Sequence, residues 1–467
     1  MKRNFLIILL IGALLPFSGK AEQQNPANKD IWKVGIARKK ITPRESVWMA
    51  GFAARKSPSE GTIHDLWAKA LMLEDAQGNR SLLITMDLLG MPKDFSDELR
   101  KRINKEYGLD KSQIILSCSH THSGPVISRT LKYIYPMGEG DWITVDRYTA
   151  QLAEMLFQLA GEAMKETKPA RIYTQSGITR FQVNRRKNVE GFSADKSLPS
   201  ERNLLSTISL EGPNDYSVPV IKIEGADKKL MAIIFGYACH PTTLSLNKFS
   251  GDYPGFAQIE LEKLYPGTTA MFFQGAGADL NAFPRLTLPL SKQYGKQLAA
   301  TVERVLSEKM DLQQSVLVHK YNEISLPLAK PLPVEQLEEM AQGNDYHARW
   351  ARGILDEYKQ NGKWMNSYPA YPIQYWKIGN QSLFVLGGEL LVSYGLRLKE
   401  MFGQDIFVMG YANNVMAYIP SATVIEEGGY EGDTSQHAYG LPAKWDKQIE
   451  PVILKGMEEL VLNAKTN

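Results

Sequence analysis

The sequence predicts an α+β (mixed α/β) chain: layered β-sheets flanked by helices, built as a single large domain. Three observations carry this. Apolar runs with strand character and longer stretches with helical spacing are mixed along the chain without strict alternation, which favours layers over a barrel. No internal repeat and no low-complexity linker divides the chain. The 467 residues are 43% hydrophobic and 22% charged, ordinary globular composition with enough length for a substantial core.

Residues 1–21 read as a secretory signal. Lys2 and Arg3 form a basic start, Phe5 to Phe17 is apolar, and Gly19-Lys20-Ala21 places small residues at −3 and −1 before a cut. The apolar stretch is short for a membrane span. The expected mature chain begins near Glu22, is secreted or periplasmic, and has no stable membrane anchor.

From there the elements follow in order. Val34 to Ile41 opens the fold and Ile41-Thr42-Pro43 turns it. Leu66 to Leu73 and Ser81 to Leu88 flank the turn Ala76-Gln77-Gly78-Asn79 as a hairpin. Asp94 to Tyr107 has helical spacing and stops at Gly108; Ile114 to Ser117 is the next strand. Asp146 to Lys165 is an amphipathic helix, Arg171 to Ile178 a strand, and Asn184 to Asn203 a polar loop. Val218 to Ile223 and Leu230 to Ala238 form a second hairpin, and Ala270 to Phe273 is a short buried strand. Leu290 to Met310 is a helix, Val316 to Leu326 a strand, and Pro333 to Lys359 a charge-rich helical stretch within a helical insertion over 324–370. Ser382 to Leu386 is a strand, Leu390 to Met401 a helix, Ile406 to Tyr411 the last strand, and Lys447 to Ala464 the closing helix.

Two of the seven histidines, His120 and His122, stand one residue apart just past an apolar strand. On an extended chain such residues point to the same side. The strand Leu230 to Ala238 ends in the same way, at His240, and Ser382 to Leu386 ends in Gly387-Gly388-Glu389. Ile406 to Tyr411 leads to Asn413 and Tyr418. Sites in open sheets gather beyond the carboxyl ends of strands, so these groups fit one crevice. His120, His240 and Glu389 make a plausible zinc set with one position open for water. Taken singly, each has a plainer reading: His240 as a satisfied core histidine, Glu389 as a helix N-terminal carboxylate, Tyr418 as a packed tyrosine.

These residues lie in a pattern that resembles the catalytic domain of neutral (non-lysosomal) ceramidases, from about Val34 to about Gly440. The matching strings are Val34-Gly35-Ile36-Ala37, Ile41-Thr42-Pro43, Met49-Ala50-Gly51-Phe52, Met86-Asp87-Leu88 and Ser119-His120-Thr121-His122-Ser123-Gly124-Pro125. Asn184-Arg185, the His240 strand end, Gly388-Glu389, Ala412-Asn413, and Tyr418 with Tyr430 complete them. The resemblance implies that His120, His240, Glu389 and Tyr418 hold one zinc. It makes His122 a proton shuttle or substrate contact, and gives Arg185 and Tyr430 to the substrate carbonyl or its polar neighbours. Arg185 in its basic run is otherwise a surface or salt-bridged arginine, and Tyr430 a loop tyrosine beside Gly428-Gly429.

The chain departs from the family in two places. Where the family has an active-site serine, Phe273 to Ala282 has none, so a serine nucleophile is unavailable there and Asn281 is a hydrogen-bond donor or a turn residue. The chain also reads as lacking the family's C-terminal β-sandwich and apolar lid. The expectation is an exported zinc-dependent hydrolase of an amide (N-acyl) bond. The alternatives are an esterase or deacylase on a glycan or lipid conjugate, and a non-catalytic metal-dependent binding protein. The substrate is a small molecule or a lipid or glycan conjugate. A net charge of +3 without a Lys/Arg tract excludes nucleic acid as an expected partner, and oligomeric state stays open. Trp350, Trp364, Tyr368 and Tyr371 either stack on a sugar or acyl group or form the insertion's core. Cys118 and Cys239 read as two buried thiols, with a single bridge as the alternative.

Overall fold

The computed structural model describes residues 29–188 and 210–465. The signal reading of residues 1–21 lies outside the described residues, as does the expected polar loop Asn184 to Asn203 beyond Asn188; the start of that loop is instead a strand end and a helical turn, Arg185–Asn188. The strands are β1 (Trp32–Lys40), β2 (Trp67–Glu74), β3 (Arg80–Met86), β4 (Ile114–Cys118), β5 (Thr167–Ile178), β6 (Gln182–Asn184), β7 (Ser217–Gly225) and β8 (Leu230–Tyr237). They continue with β9 (Thr269–Gln274), β10 (Leu280–Ala282), β11 (Asp311–Gln313), β12 (Leu317–Pro327), β13 (Ser367–Ile378), β14 (Gln381–Leu386), β15 (Glu389–Leu390), β16 (Phe407–Met409) and β17 (Tyr418–Ile419).

Among the described residues, the main sheet has the order β4-β3-β2-β1-β5-β7-β8-β9, with β11 beside β5. A second sheet runs β12-β13-β14-β16. Side chains alternate between faces with period two, and the alternation assigns every layer. Leu383 and Val385 of β14 pack inward against Ile115, Ile234, Met271 and Phe273 of the main sheet. Phe384 and Leu386 turn outward to Leu398 and Met457 on helices Val392–Phe402 and Ile449–Lys465. The main sheet's outer face is covered in two halves. Helices Lys93–Tyr107 and Glu139–Lys165 cover β2 to β4, and Asp252–Leu264 and Leu288–Ser307 cover β7 to β9. With both faces covered, β4 and β9 are buried at every residue, as their continuous apolar runs require. The result is a mixed helix-and-sheet fold of four layers, helix–sheet–sheet–helix.

The two ends of the main sheet meet. β3 and β4 are parallel, as are β8 and β9. Counted through the antiparallel strands between them, the two pairs run in opposite senses. Yet β9 lies against β3 and β4. A strand-to-strand twist of roughly 20–25° accumulates over the seven steps to roughly 140–175°. That turns the far edge nearly end over end, so the carboxyl ends of β4 and β8 face one another.

Several elements differ from the sequence expectation. The long helix begins at Glu139 rather than Asp146. Asp252–Leu264 is a helix, and Ser367–Ile378 is a strand paired with β12 and β14, where the sequence assigned neither. The stretch Pro333 to Lys359 is two helices, Val334–Met340 and Tyr346–Asn361, broken at Gly343-Asn344-Asp345. Asp345 caps the second by accepting from the Ala348 N–H at 2.9 Å. The ends of the 324–370 segment belong to β12 and β13, so its helices form an excursion between two paired strands. Among the described residues no helix is long and apolar enough to cross a membrane.

Candidate metal centre

β4 ends at Cys118, and its backbone then turns sharply. His120 adopts φ 62, the left-handed region, which costs a non-glycine residue roughly 1–3 kcal/mol. The extended geometry expected for His120 and His122 is therefore absent; a turn makes them converge. Its N–H donates to Leu88 O at 2.9 Å, and Nδ1 stands 2.6 Å from Leu89 O. A carbonyl accepts only from an N–H, so a proton is assigned to Nδ1, which leaves Nε2 as the ring nitrogen that faces the cluster. That Nε2 lies 3.1 Å from His240 Nε2 and 3.3 Å from His122 Nε2, and the last two are 3.0 Å apart. The three histidines form a cluster able to hold a metal ion.

His240 follows β8. Its N–H donates to Leu280 O at 2.8 Å, and it bridges Asn281 in parallel. His122 is seated by Gly51, whose φ of 110 and missing Cβ are both required: a Cβ there would meet His122 Nδ1 at 2.4 Å. Burial, then His120 and the nearby arginines, pushes His122 and His240 well below the ordinary imidazole range. Both are thus neutral, the form that binds metals.

Glu389 opens β15 after Gly388, whose φ of 72 and contact with Ile419 exclude a side chain. Glu389 Oε2 lies 3.0 Å from His120 Nε2 and 3.7 Å from His240 Nε2, and finds no hydrogen-bond donor. Its Oε1 accepts from Tyr439 Oη. Three facing imidazole nitrogens cannot each supply a proton to the others, and a buried carboxylate oxygen without a donor is costly. Nitrogen and oxygen donors of this kind suit zinc. The residues fit the ion the resemblance implies.

Beside the cluster lies a second layer. Tyr418 pairs with Glu389 across β15 and β17, and its ring stacks on His240 with centroids 6.3 Å apart at 10°. Its Oη accepts from Arg185 Nη2 at 3.3 Å. Arg185, 3% exposed, also donates through Nε to Glu431 Oε1 at 2.6 Å and through Nη1 toward Asn281 Oδ1 at 3.5 Å. Although burial opposes it, Arg185 and Arg186 hold Glu431 below the usual carboxylate range. Tyr430 begins a π-helical turn, Tyr430–Thr434, with its ring 5.3 Å from that of Tyr418. Such turns recur at functional sites.

All eight site residues named from the sequence thus share one locality, where His122 and Tyr430 are partly buried and the other six are buried. Two placements differ from expectation. His122 Nε2 sits within the imidazole cluster rather than beside it, and Asn281 turns its oxygen, an acceptor, toward Arg185 and Thr242. Sequence reasoning missed Glu431, Tyr439 and Tyr411, whose ring is 4.4 Å from that of His120 and whose Oη has no partner. Only Glu431, next to Tyr430, carried any signal. Cys118 and Cys239 are buried free thiols. Trp350 is 1% exposed in the excursion's own core, with Trp364 packed against it.

The sequence model of the family described as "Neutral/alkaline non-lysosomal ceramidase, N-terminal" matches residues 32–284, more than half of the chain. The chain belongs to this family. Two members similar to it are neutral ceramidase of Drosophila pseudoobscura pseudoobscura and neutral ceramidase A of Dictyostelium discoideum. The first is 25% identical over 241 residues, 50% of this chain and 32% of that protein. The second is 24% identical over 288 residues, 60% of this chain and 38% of that protein. The matches therefore span about a third of these relatives' length. The crystal structure of neutral ceramidase from Pseudomonas aeruginosa superposes with a TM-score of 0.70 at 18% identity, over 92% of this chain and 74% of that one. A ceramidase complexed with C2 gives the same score and identity, over 92% and 75%. These two likenesses establish the neutral ceramidase fold.

Proposed function

We propose that this protein is an exported, zinc-dependent amidohydrolase of the ceramidase type, with residues 22–467 as its catalytic domain. It cleaves the N-acyl bond of a lipid-like substrate. The observation that carries this reading is the clustering of the His120, His122 and His240 Nε2 atoms, with a Glu389 Oε2 that lacks a donor 3.0 Å from the first of them, in a chain of this family. Residues 1–21 supply the export signal, as their basic and apolar pattern indicates.

In this reading His120, His240, Glu389 and Tyr418 hold the ion. When bound, zinc supplies Lewis acidity, polarising a carbonyl and lowering the pKa of water. His122, kept neutral by burial, accepts a proton at Nε2 from the attacking water and passes it to the nitrogen that leaves as amine. Arg185 and Tyr430 donate to the carbonyl oxygen as negative charge develops on it. Glu431 holds the guanidinium in place, and Asn281 supports it from the other side. No serine lies between Phe273 and Ala282, so water is the nucleophile at that point.

The test is metal content and hydrolysis of a short-chain ceramide within a panel of amides and esters. His122→Ala is expected to retain zinc and lose hydrolysis; Tyr418→Phe is expected to lose zinc affinity. The reverse pattern exchanges the two roles. Preference for esters moves the reaction to a deacylase. Wild-type protein without affinity for zinc refutes the reading.

A further inference from the structure

Tyr439 stands outside every role given above to substrate or metal. Its Oη donates to Glu389 Oε1, which commits one carboxylate oxygen and aims the other, Oε2, at the imidazole cluster. Groups behind a metal ligand commonly fix its orientation in this way. Tyr439 ends a five-residue helix, Ser435–Tyr439, that stops at Gly440 in the left-handed region. A helix this short does not hold its own direction.

The excursion between β12 and β13 holds it instead. The His437 ring stacks on Trp350, with centroids 3.6 Å apart at 17°. His437 Nδ1 lies 2.8 Å from His347 Nδ1, a distance at which one ring donates and the other accepts. Just past Tyr439, Leu441 O accepts from Trp350 Nε1 at 2.9 Å. His347 and Trp350 both lie on helix Tyr346–Asn361, so one helix grips the chain on either side of Tyr439.

We propose that Tyr439 is a positioning residue for the metal ligand Glu389, and that helix Tyr346–Asn361 buttresses the metal site through it. The proposal rests on the metal role assigned to Glu389. It gives the excursion a task other than substrate stacking.

The experiment measures zinc affinity by competition with a chromophoric chelator. The proteins are wild type, Tyr439→Phe, His437→Gln and the double variant. Tyr439→Phe keeps the ring and removes one hydrogen bond; a loss of about 10–100-fold in affinity is expected. His437→Gln is expected to lose less, and to add nothing in the Tyr439→Phe background, because its effect passes through that hydroxyl. Wild-type affinity in Tyr439→Phe overturns the positioning role. No His437→Gln effect, or an equal one in both backgrounds, overturns the buttress. If His437→Gln does not fold, Trp350→Phe keeps the stacking face, removes the bond to Leu441, and reads the same coupling. Absence of zinc binding in the wild type is a different result: it removes the functional reading on which this one stands.

Discussion

Asp252 offers a test of how burial and hydrogen bonding compete in this fold. It opens helix Asp252–Leu264 at φ 55 and is wholly buried. Its carboxylate accepts from Thr243 Oγ1, from Leu244 N–H at 3.0 Å and from Tyr253 N–H at 2.6 Å. Those bonds favour the charged form, yet burial outweighs them and pushes the carboxyl up to about 6. An unfolded aspartate titrates near ~3.9. Between those values the folded chain binds more protons than the unfolded one, so this residue's contribution to stability falls as pH rises. Two pKa units at ~1.4 kcal/mol each give about 3 kcal/mol in all, of which about 2 falls between about pH 4.5 and 7.5. Asp252→Asn keeps the size and one acceptor but cannot ionise. Urea unfolding across that range is expected to show the variant's stability, relative to wild type, improving by about 2 kcal/mol toward the alkaline end. A gap that is constant with pH, or that moves the other way, refutes the claim that desolvation controls this carboxyl. The residue matters to the site: the adjoining Ser250 O accepts from Thr121 Oγ1 at 2.7 Å, and Ser250 N–H donates to Ser123 O at 3.0 Å. Asp252 thus anchors the loop that backs the His120–His122 turn.

Three further outcomes are expected. Gly51→Ala places a methyl 2.4 Å from His122 Nδ1 at a φ of 110; it should displace that ring and abolish hydrolysis at a stability cost of about 1–3 kcal/mol, read by kcat and thermal midpoint. Arg185→Ala strips Glu431 of one buried partner while Arg186 keeps the other at 2.8 Å; a loss of about 3 kcal/mol, at the low end for a broken buried pair, should appear in denaturant unfolding. Zinc at a hundred times its dissociation constant should stabilise the wild type by about 2.7 kcal/mol, and removal by chelation should reverse this, whereas His240→Ala should show neither shift in midpoint.

The sequence made the layers legible where apolar runs were continuous, as in Ile114 to Ser117 and Leu230 to Ala238. It made His120, His240 and Glu389 legible because each follows such a run. Arg185 and Tyr430 came from the family pattern, since neither has a local signature. Helix Asp252–Leu264 was hidden by Pro254-Gly255, which reads as a turn but sits in the first turn, where proline lacks no needed donor. β13 was hidden by Pro369 and Pro372, which look out of place in a strand with a neighbour on each side. Tyr439 carries no local sign at all, because its role arises only where chain separated by fifty residues packs against Glu389.

The site's strain explains why the arrangement of the candidate ligands could not be derived from strand geometry alone. His120, Tyr411 and Asn413 all take positive φ, and all lie where β4 and β16 end. Such backbone persists only when its surroundings over-determine it. Here they do: Asn413 N–H donates to Leu116 O at 2.7 Å, its Oδ1 accepts from Leu116 N–H at 3.0 Å, and its Nδ2 donates to Gln374 Oε1 at 2.7 Å. Asn413 thereby ties β4 to the second sheet immediately before the chain bends at His120. An extended His120-Thr121-His122 would carry its two imidazoles on one face but side by side, as successive same-face residues of a strand stand. The bend instead points both Nε2 atoms at one place, 3.3 Å apart. The convergence of the histidines is therefore a property of the two sheets locked together, and the His-x-His spacing only permits it.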